Sequence, residues 1–174
     1  MKNLIYLTTF LCAGLATAQV AIGKNAVSNA SVSLEFAEEP KGIILPWVTA
    51  AADVTQVVNG TLILDTADKK IKAKLASGWK DLTVYEINNA IDTSLQTNPL
   101  KPEFANAKVS IGTPTNTAGI LVLEDTNKAM VLPIVENPWQ TIKNPAPGMM
   151  AYDSQTQQLA VFNGTVWTFW KPQQ

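Results

Sequence analysis

The residue types that most often carry enzyme chemistry are scarce in this chain. It has no histidine and no arginine, and its single cysteine, Cys12, lies in the first apolar run. Ser-His-Asp and Cys-His nucleophile arrangements and most zinc sites are therefore closed to it. A carboxylate mechanism survives, because two Asp or Glu side chains can serve as acid and base on a glycosidic bond. The pairs on offer are poor. Glu38 and Glu39 are adjacent and point to opposite faces if extended, and Asp65 and Asp153 open turns, where an aspartate bonds its own backbone. Asp65 and Asp68 have the hard oxygens that calcium takes, yet one short turn supplies too few ligands, and the matching later turn has Asp153 with Thr156 instead. No catalytic, cofactor-binding or metal-ligating residue is expected.

Aromatic side chains are the other candidates. The chain has five tryptophans, and Trp167, Phe169 and Trp170 crowd one short stretch. On a β surface such rings stack on sugars or anchor a protein interface. Strand alternation places Trp167 and Phe169 on one face and Trp170 on the other. Trp79 and Trp167 are expected in the core, and Trp170, Phe169, Trp47 and Trp139 are the candidate ligand or interface residues. Asn29-Ala30-Ser31, Asn59-Gly60-Thr61 and Asn163-Gly164-Thr165 fit the N-glycosylation pattern but read as turns.

Lys2, the apolar run from Leu4 to Leu15 and the small residues Ala16-Thr17-Ala18 have the order of a cleavable export signal, with cleavage after Ala18. The run is shorter than the roughly 20 apolar residues that span a bilayer. The exported chain would then lack cysteine and form no disulfide. Without Lys2, 12 of the 13 lysines face 14 acidic residues. Such a balance supplies no basic surface for phosphate backbones, so nucleic acid is not an expected partner.

The elements that must position these residues come in two copies, offset by about 88 residues. Val20-Ala21-Ile22-Gly23 recurs as Val109-Ser110-Ile111-Gly112, and Leu34-Glu35 as Leu123-Glu124. Lys41-Gly42-Ile43-Ile44-Leu45-Pro46 recurs as Lys128-Ala129-Met130-Val131-Leu132-Pro133. Gly60 to Trp79 aligns without a gap on Gly148 to Trp167. The reading is mainly β with little helix: a signal peptide (1–18), two tandem small β-rich modules built on β-meanders (19–85 and 109–174), and a linker (86–108). Modules this small are marginal alone, so packing between copies or between chains is expected.

Within each copy the closing segment reads as three strands. Gly148–Tyr152, Gln158–Phe162 and Thr165–Trp170 form one meander, with Asn163-Gly164 expected as a two-residue type I′ turn. In the first copy, Thr61–Leu64 precedes a strand in which Ile71, Ala73 and Leu75 alternate with Lys70, Lys72 and Lys74, predicting one buried and one wet face. Its lysines would also blunt a sheet edge. The next turn is placed at Ser77-Gly78. Gly42–Leu45 and Met130–Leu132 read as strands stopped by proline. Ala50-Ala51-Ala52 favours helix between Trp47 and Val58, and Ile91 and Leu95 would share a face of a short helical turn.

These blocks resemble a module found in many secreted and surface proteins of the Bacteroidota. Its marks are a valine-glycine-isoleucine-glycine start, a lysine-glycine-leucine-leucine-proline-proline segment and an asparagine-glycine-threonine-x-tryptophan ending. Val109 to Pro114, Pro147 to Asp153 and Asn163 to Trp167 match well, as do Val20 to Gly23 and Lys41 to Pro46. Each copy has one proline where the module has two. The opening segment is also similar to one found in phage tail fibres, which assemble as trimers of β-rich chains. Membership of that secreted group would make Asp65-Thr66-Ala67 an O-glycosylation pattern, with Thr66 as the modified residue.

The expected function is an exported, non-enzymatic structural or adhesive protein of the cell envelope or surface. Its partner would be a glycan, a surface protein or further copies of the chain, as a trimer. A carboxylate-dependent carbohydrate-active enzyme is the alternative. The expected address is the periplasm, the outer membrane surface or the medium, with no transmembrane segment after signal cleavage.

Overall fold

A computed structural model describes residues 19–84, 90–94 and 107–171. The expected signal peptide, Leu95 and most of the expected linker lie outside the described residues. The described chain is mainly β. Its helical content is one 3-10 turn, Ala51–Asp53, and one short helix, α1 (Pro138–Thr141), and it has no helix long and apolar enough to cross a membrane.

The first half contains β1 (Val20–Ile22), β2 (Val32–Phe36), β3 (Ile43–Ile44), β4 (Trp47–Val48), β5 (Leu62–Asp65), β6 (Lys70–Leu75) and β7 (Gly78–Asp81). The second half contains β8 (Val109–Gly112), β9 (Leu121–Glu124), β10 (Ala129–Val131), β11 (Ile134–Val135), β12 (Met149–Asp153), β13 (Gln158–Phe162) and β14 (Trp167–Trp170). In both halves the opening strands pair in parallel, β1 with β2 and β8 with β9. Each half then forms a four-strand run, β4-β5-β6-β7 or β11-β12-β13-β14, whose first pair is parallel and whose remainder is an antiparallel meander. No long crossover helix joins the parallel pairs. Each is a single turn of a coil, the geometry of a β-solenoid.

The two meanders keep one register. Ala73 pairs with Lys80 and Lys74 with Trp79, while Val161 pairs with Thr168 and Phe162 with Trp167. The equivalent positions therefore differ by 88 (73 to 161, 79 to 167). Left-handed backbone recurs at the same offset, at Gln56 and Asn144 and at Lys69 and Gln157. Trp79 and Trp167 are both half-buried.

The halves share one core. Leu45, Leu64 and Ile71 from the first pack with Met150 and Val161 from the second. Five such side chains, at about 1.5–3 kcal/mol each, contribute on the order of 10 kcal/mol, comparable with the net stability of a whole domain. A second cluster, Val135, Ile142, Met149, Ala151 and Phe162, belongs to the second half and is covered by Trp167.

Several local expectations are corrected. The stretch from Trp47 to Val58 forms a strand and a 3-10 turn rather than a helix, because β4 gains a pairing partner in β5 that outweighs alanine propensity. Ala90 to Ser94 is not helical, and the Asp92 carboxylate instead accepts from the Ser94 N–H at 2.9 Å. β6 has no wet lysine face, since Lys72 is only 8% exposed while Leu75 is 45% exposed. Nor is β6 an edge, as it lies between β5 and β7. Ala76 and Ser77, rather than Ser77 and Gly78, make the turn between them, with Leu75 facing Gly78. The last strand begins at Trp167, so Asn163 to Val166 all lie in the loop.

Candidate interaction surface

Asp65 and Asp153 show how the turns are built. Asp65 Oδ1 accepts from the Ala67 and Asp68 N–H groups, and its Oδ2 from the Ala51 N–H. Asp153 Oδ1 accepts from Gln155 and Asn137 N–H groups and its Oδ2 from the Thr156 hydroxyl. Both are buried. Burial pushes the Asp153 carboxyl up, but the Thr156 hydroxyl and the surrounding N–H groups outweigh it and hold the pKa below its ordinary value. The two aspartates thus fasten each hairpin turn to the segment after the preceding strand.

Lys72 stands where a cation would sit. Its ammonium meets Asp68, Asp65 Oδ2 at 3.6 Å and Asp81 Oδ1 at 3.5 Å. Burial lowers its pKa, and the Asp68 hydrogen bond together with the three carboxylate charges raises it further than burial lowers it. Among the described residues no group of three or more His, Cys, Asp or Glu could hold a metal ion. In the opening segments Glu35 accepts from Lys24 at 2.6 Å and from the Ser28 N–H. Glu124 accepts from the Ser110 hydroxyl and from Thr115. Those hydrogen bonds hold both carboxyls below their ordinary pKa.

Of the aromatic candidates, two join the halves. The Trp47 indole N–H donates to the Pro147 carbonyl at 2.8 Å. The Trp170 indole N–H donates to the Leu82 carbonyl, with the Lys80 ammonium 5.6 Å from its ring. The other two face outward: Trp139, on α1, is 54% exposed and Phe169 36%. Phe169 stacks on Trp167 at 6.5 Å, and Trp167 lies 5.2 Å from Phe162, so alternation placed Trp167 and Phe169 together as expected. Thr66 is half-buried in its turn, and its hydroxyl donates to the Val48 carbonyl at 2.9 Å.

Strand pairing also crosses between halves. β3 lies antiparallel to β12, with Ile43 opposite Met150 and Ile44 opposite Met149. β10 lies parallel to β2, with Met130 opposite Leu34. Outside these pairings, Val109 and Leu121, opposite each other on β8 and β9, are 57% and 48% exposed, and Ile120, just before β9, is 55% exposed. Apolar residues grouped on a two-strand sheet mark an association surface more readily than single exposed ones.

That patch opens a stretch that matches a family model. Residues 109–173 match the family described as phage tail like trimerisation region. The match begins at Val109, where the opening segment is similar to tail-fibre sequences, and runs through the final hairpin. The chain matches no curated protein and no solved structure.

Sequence reasoning missed the buried Lys72 cluster and the inter-half pairings. Lys72 was hidden by its neighbours Lys70 and Lys74, which imitate a solvated face. The spacing of Asp68 and Lys72, four apart, was the available signal. Nothing in a strand pattern names the partner of a two-residue strand such as β3.

Proposed function

We propose that this protein is an exported structural protein that works by self-association, and that its second half is the trimerisation segment. The match of residues 109–173 carries this reading. The exposed Val109, Ile120 and Leu121 support it, since burying such a patch against another chain recovers about 25 cal/mol per Å² of apolar surface. Its address would be the periplasm, the outer membrane surface or the medium, as the opening residues suggest. A surface glycan or protein would meet Trp139 and Phe169, the two outward aromatic candidates.

The enzyme alternative draws no support from the described carboxylates whose shift is resolved. A glycosidase needs an acid whose pKa is raised. The shifts resolved at Glu35, Asp81, Asp92, Glu124, Asp125 and Asp153 are all downward. Co-expression of two differently tagged copies tests the proposal. The second-tagged chain should co-purify with the first; recovery of the captured copy alone would contradict it.

A further inference from the structure

Each half offers two seats for a neighbouring strand, and among the described residues only half of them are filled. In the second half, the edge of β12 at Met149 and Met150 is covered by β3, and the Leu45 N–H donates to the Gly148 carbonyl at 3.0 Å. The equivalent edge of β5, at Gly60, Thr61 and Leu62, has no strand beside it among the described residues. Burial follows occupancy. Gly148, Met149 and Met150 are buried, whereas Gly60 is exposed and Thr61 and Leu62 are half-buried. A Cβ built on Gly148 would lie 3.1 Å from Trp47 Nε1 and 3.4 Å from the Leu45 carbonyl oxygen, while one on Gly60 would meet nothing within 4 Å.

The second seat shows the same asymmetry in reverse. β2 is flanked by β1 and β10, and its Val32 and Leu34 are 4% and 1% exposed. Its counterpart β9 pairs with β8 alone among the described residues, and Leu121, which faces Val109 as Leu34 faces Val20, is 48% exposed. The segments that fill the occupied seats are themselves counterparts: β3 lies in Lys41–Pro46 and β10 in Lys128–Pro133. β3 is seen paired along one edge with β12 and β10 along one edge with β2. The open seats at β5 and β9 therefore call for a β10-type and a β3-type strand respectively.

The open β5 seat and β3 belong to the first half, and the open β9 seat and β10 to the second. We propose that the second half of one chain joins the first half of another copy through the same two pairings that join the halves within a chain. β10 lies antiparallel on β5 of the neighbour, with Met130 opposite Leu62 and Val131 opposite Thr61. The neighbour's β3 lies parallel on β9, with Ile43 opposite Leu121. The contact is heterologous, so it closes into a ring when the rotation permits. Three chains make that ring. This inference rests on the self-association reading and adds the surfaces that carry it.

Single-cysteine chains test it. Chains with Leu62→Cys and chains with Met130→Cys, both with Cys12→Ser, are co-expressed and oxidised. A parallel set uses Thr61→Cys with Val131→Cys, because neighbouring antiparallel pairs alternate between close and wide side-chain spacing. The expected result is a covalent dimer of the unlike chains in at least one set, and none from either chain alone. Leu121→Lys places a charge on an exposed strand edge; it should keep the β-rich circular dichroism spectrum and give the mass of a single chain. An assembled protein that yields no unlike-chain cross-link in either set, or a Leu121→Lys variant that assembles like the parent, overturns the pairing while self-association stands. A parent protein with the mass of one chain overturns both.

Discussion

The Asn163 carboxamide ties the last hairpin of the second half to the first half, donating from Nδ2 to the Lys69 carbonyl at 3.0 Å. Its Oδ1 accepts from the Thr165 and Val166 N–H groups at 3.2 and 3.0 Å. The residue is 1% exposed, so Asn163→Leu leaves one part-buried acceptor and two part-buried donors without this partner. Each such group costs about 1–3 kcal/mol, and we expect a loss of about 2–4 kcal/mol in urea unfolding once backbone relaxation recovers part of it. Asn163→Asp keeps the acceptor and should lose less. Equal losses would mean that the Lys69 contact and the loop bonds are not separable.

Gly164 sits in that loop at φ +105, and a Cβ there would lie 3.1 Å from Pro147 Cγ. Gly164→Val should cost about 1–3 kcal/mol in backbone strain, with further loss from the contact with Pro147. Gly78 has φ +128 and open space around it. Gly78→Val therefore meets the backbone penalty alone and should be the milder of the two by thermal melting. A Gly164→Val protein with the parental melting temperature would remove the loop's control over β14.

Stability should fall on acidification. The carboxyls of Glu35, Asp81, Glu124 and Asp153 are held below their ordinary pKa in the folded chain. The unfolded chain thus binds protons first as pH drops, and the stability these groups supply, complete above the unfolded value of about 4, is lost progressively as pH falls through the folded values. Melting temperatures measured from pH 7 to pH 3 should stay level and then decline below about pH 4–5. Asp153→Asn should be less stable at pH 7 and show a shallower decline. A decline as steep as the parent's would show that Asp153 takes no part in it.

Gln19, the residue expected to follow the export signal, donates from Nε2 to the Val32 carbonyl at 2.8 Å and to the Ala30 and Asn29 carbonyls at 3.2 and 3.3 Å. Cyclisation would consume this amide nitrogen. Mass spectrometry of the exported protein should find Gln19 at the amino terminus with its side chain open. A cyclised terminus would contradict the anchoring role, and an intact Met1 would contradict cleavage.

How far the fold was legible depended on how local each element's cause is. The meanders could be read because alternation and turn residues lie within a few positions of each other, as in Gly60 to Trp79. Boundaries failed where a side chain replaced a backbone partner. Asn163 spends its carboxamide on the Thr165 and Val166 N–H groups, so the loop holds Asn163 to Val166 rather than the two residues a type I′ turn requires. Burial of Lys72 depends on Asp81, which arrives from the next strand, and no period in β6 signals it. Among the tryptophans, the repeat offset pointed correctly to Trp79 and Trp167 as equivalents. The inward hydrogen bonds of Trp47 and Trp170 depend on Pro147 and Leu82, each from the other half of the chain.

The most direct test of self-association is the mass of the purified protein in solution across a range of concentrations, by sedimentation equilibrium or light scattering. We expect a species of three chains, three times the mass of the chain as purified (18.8 kDa at full length), with smaller species appearing only on dilution. A mass of one chain at every concentration would contradict it.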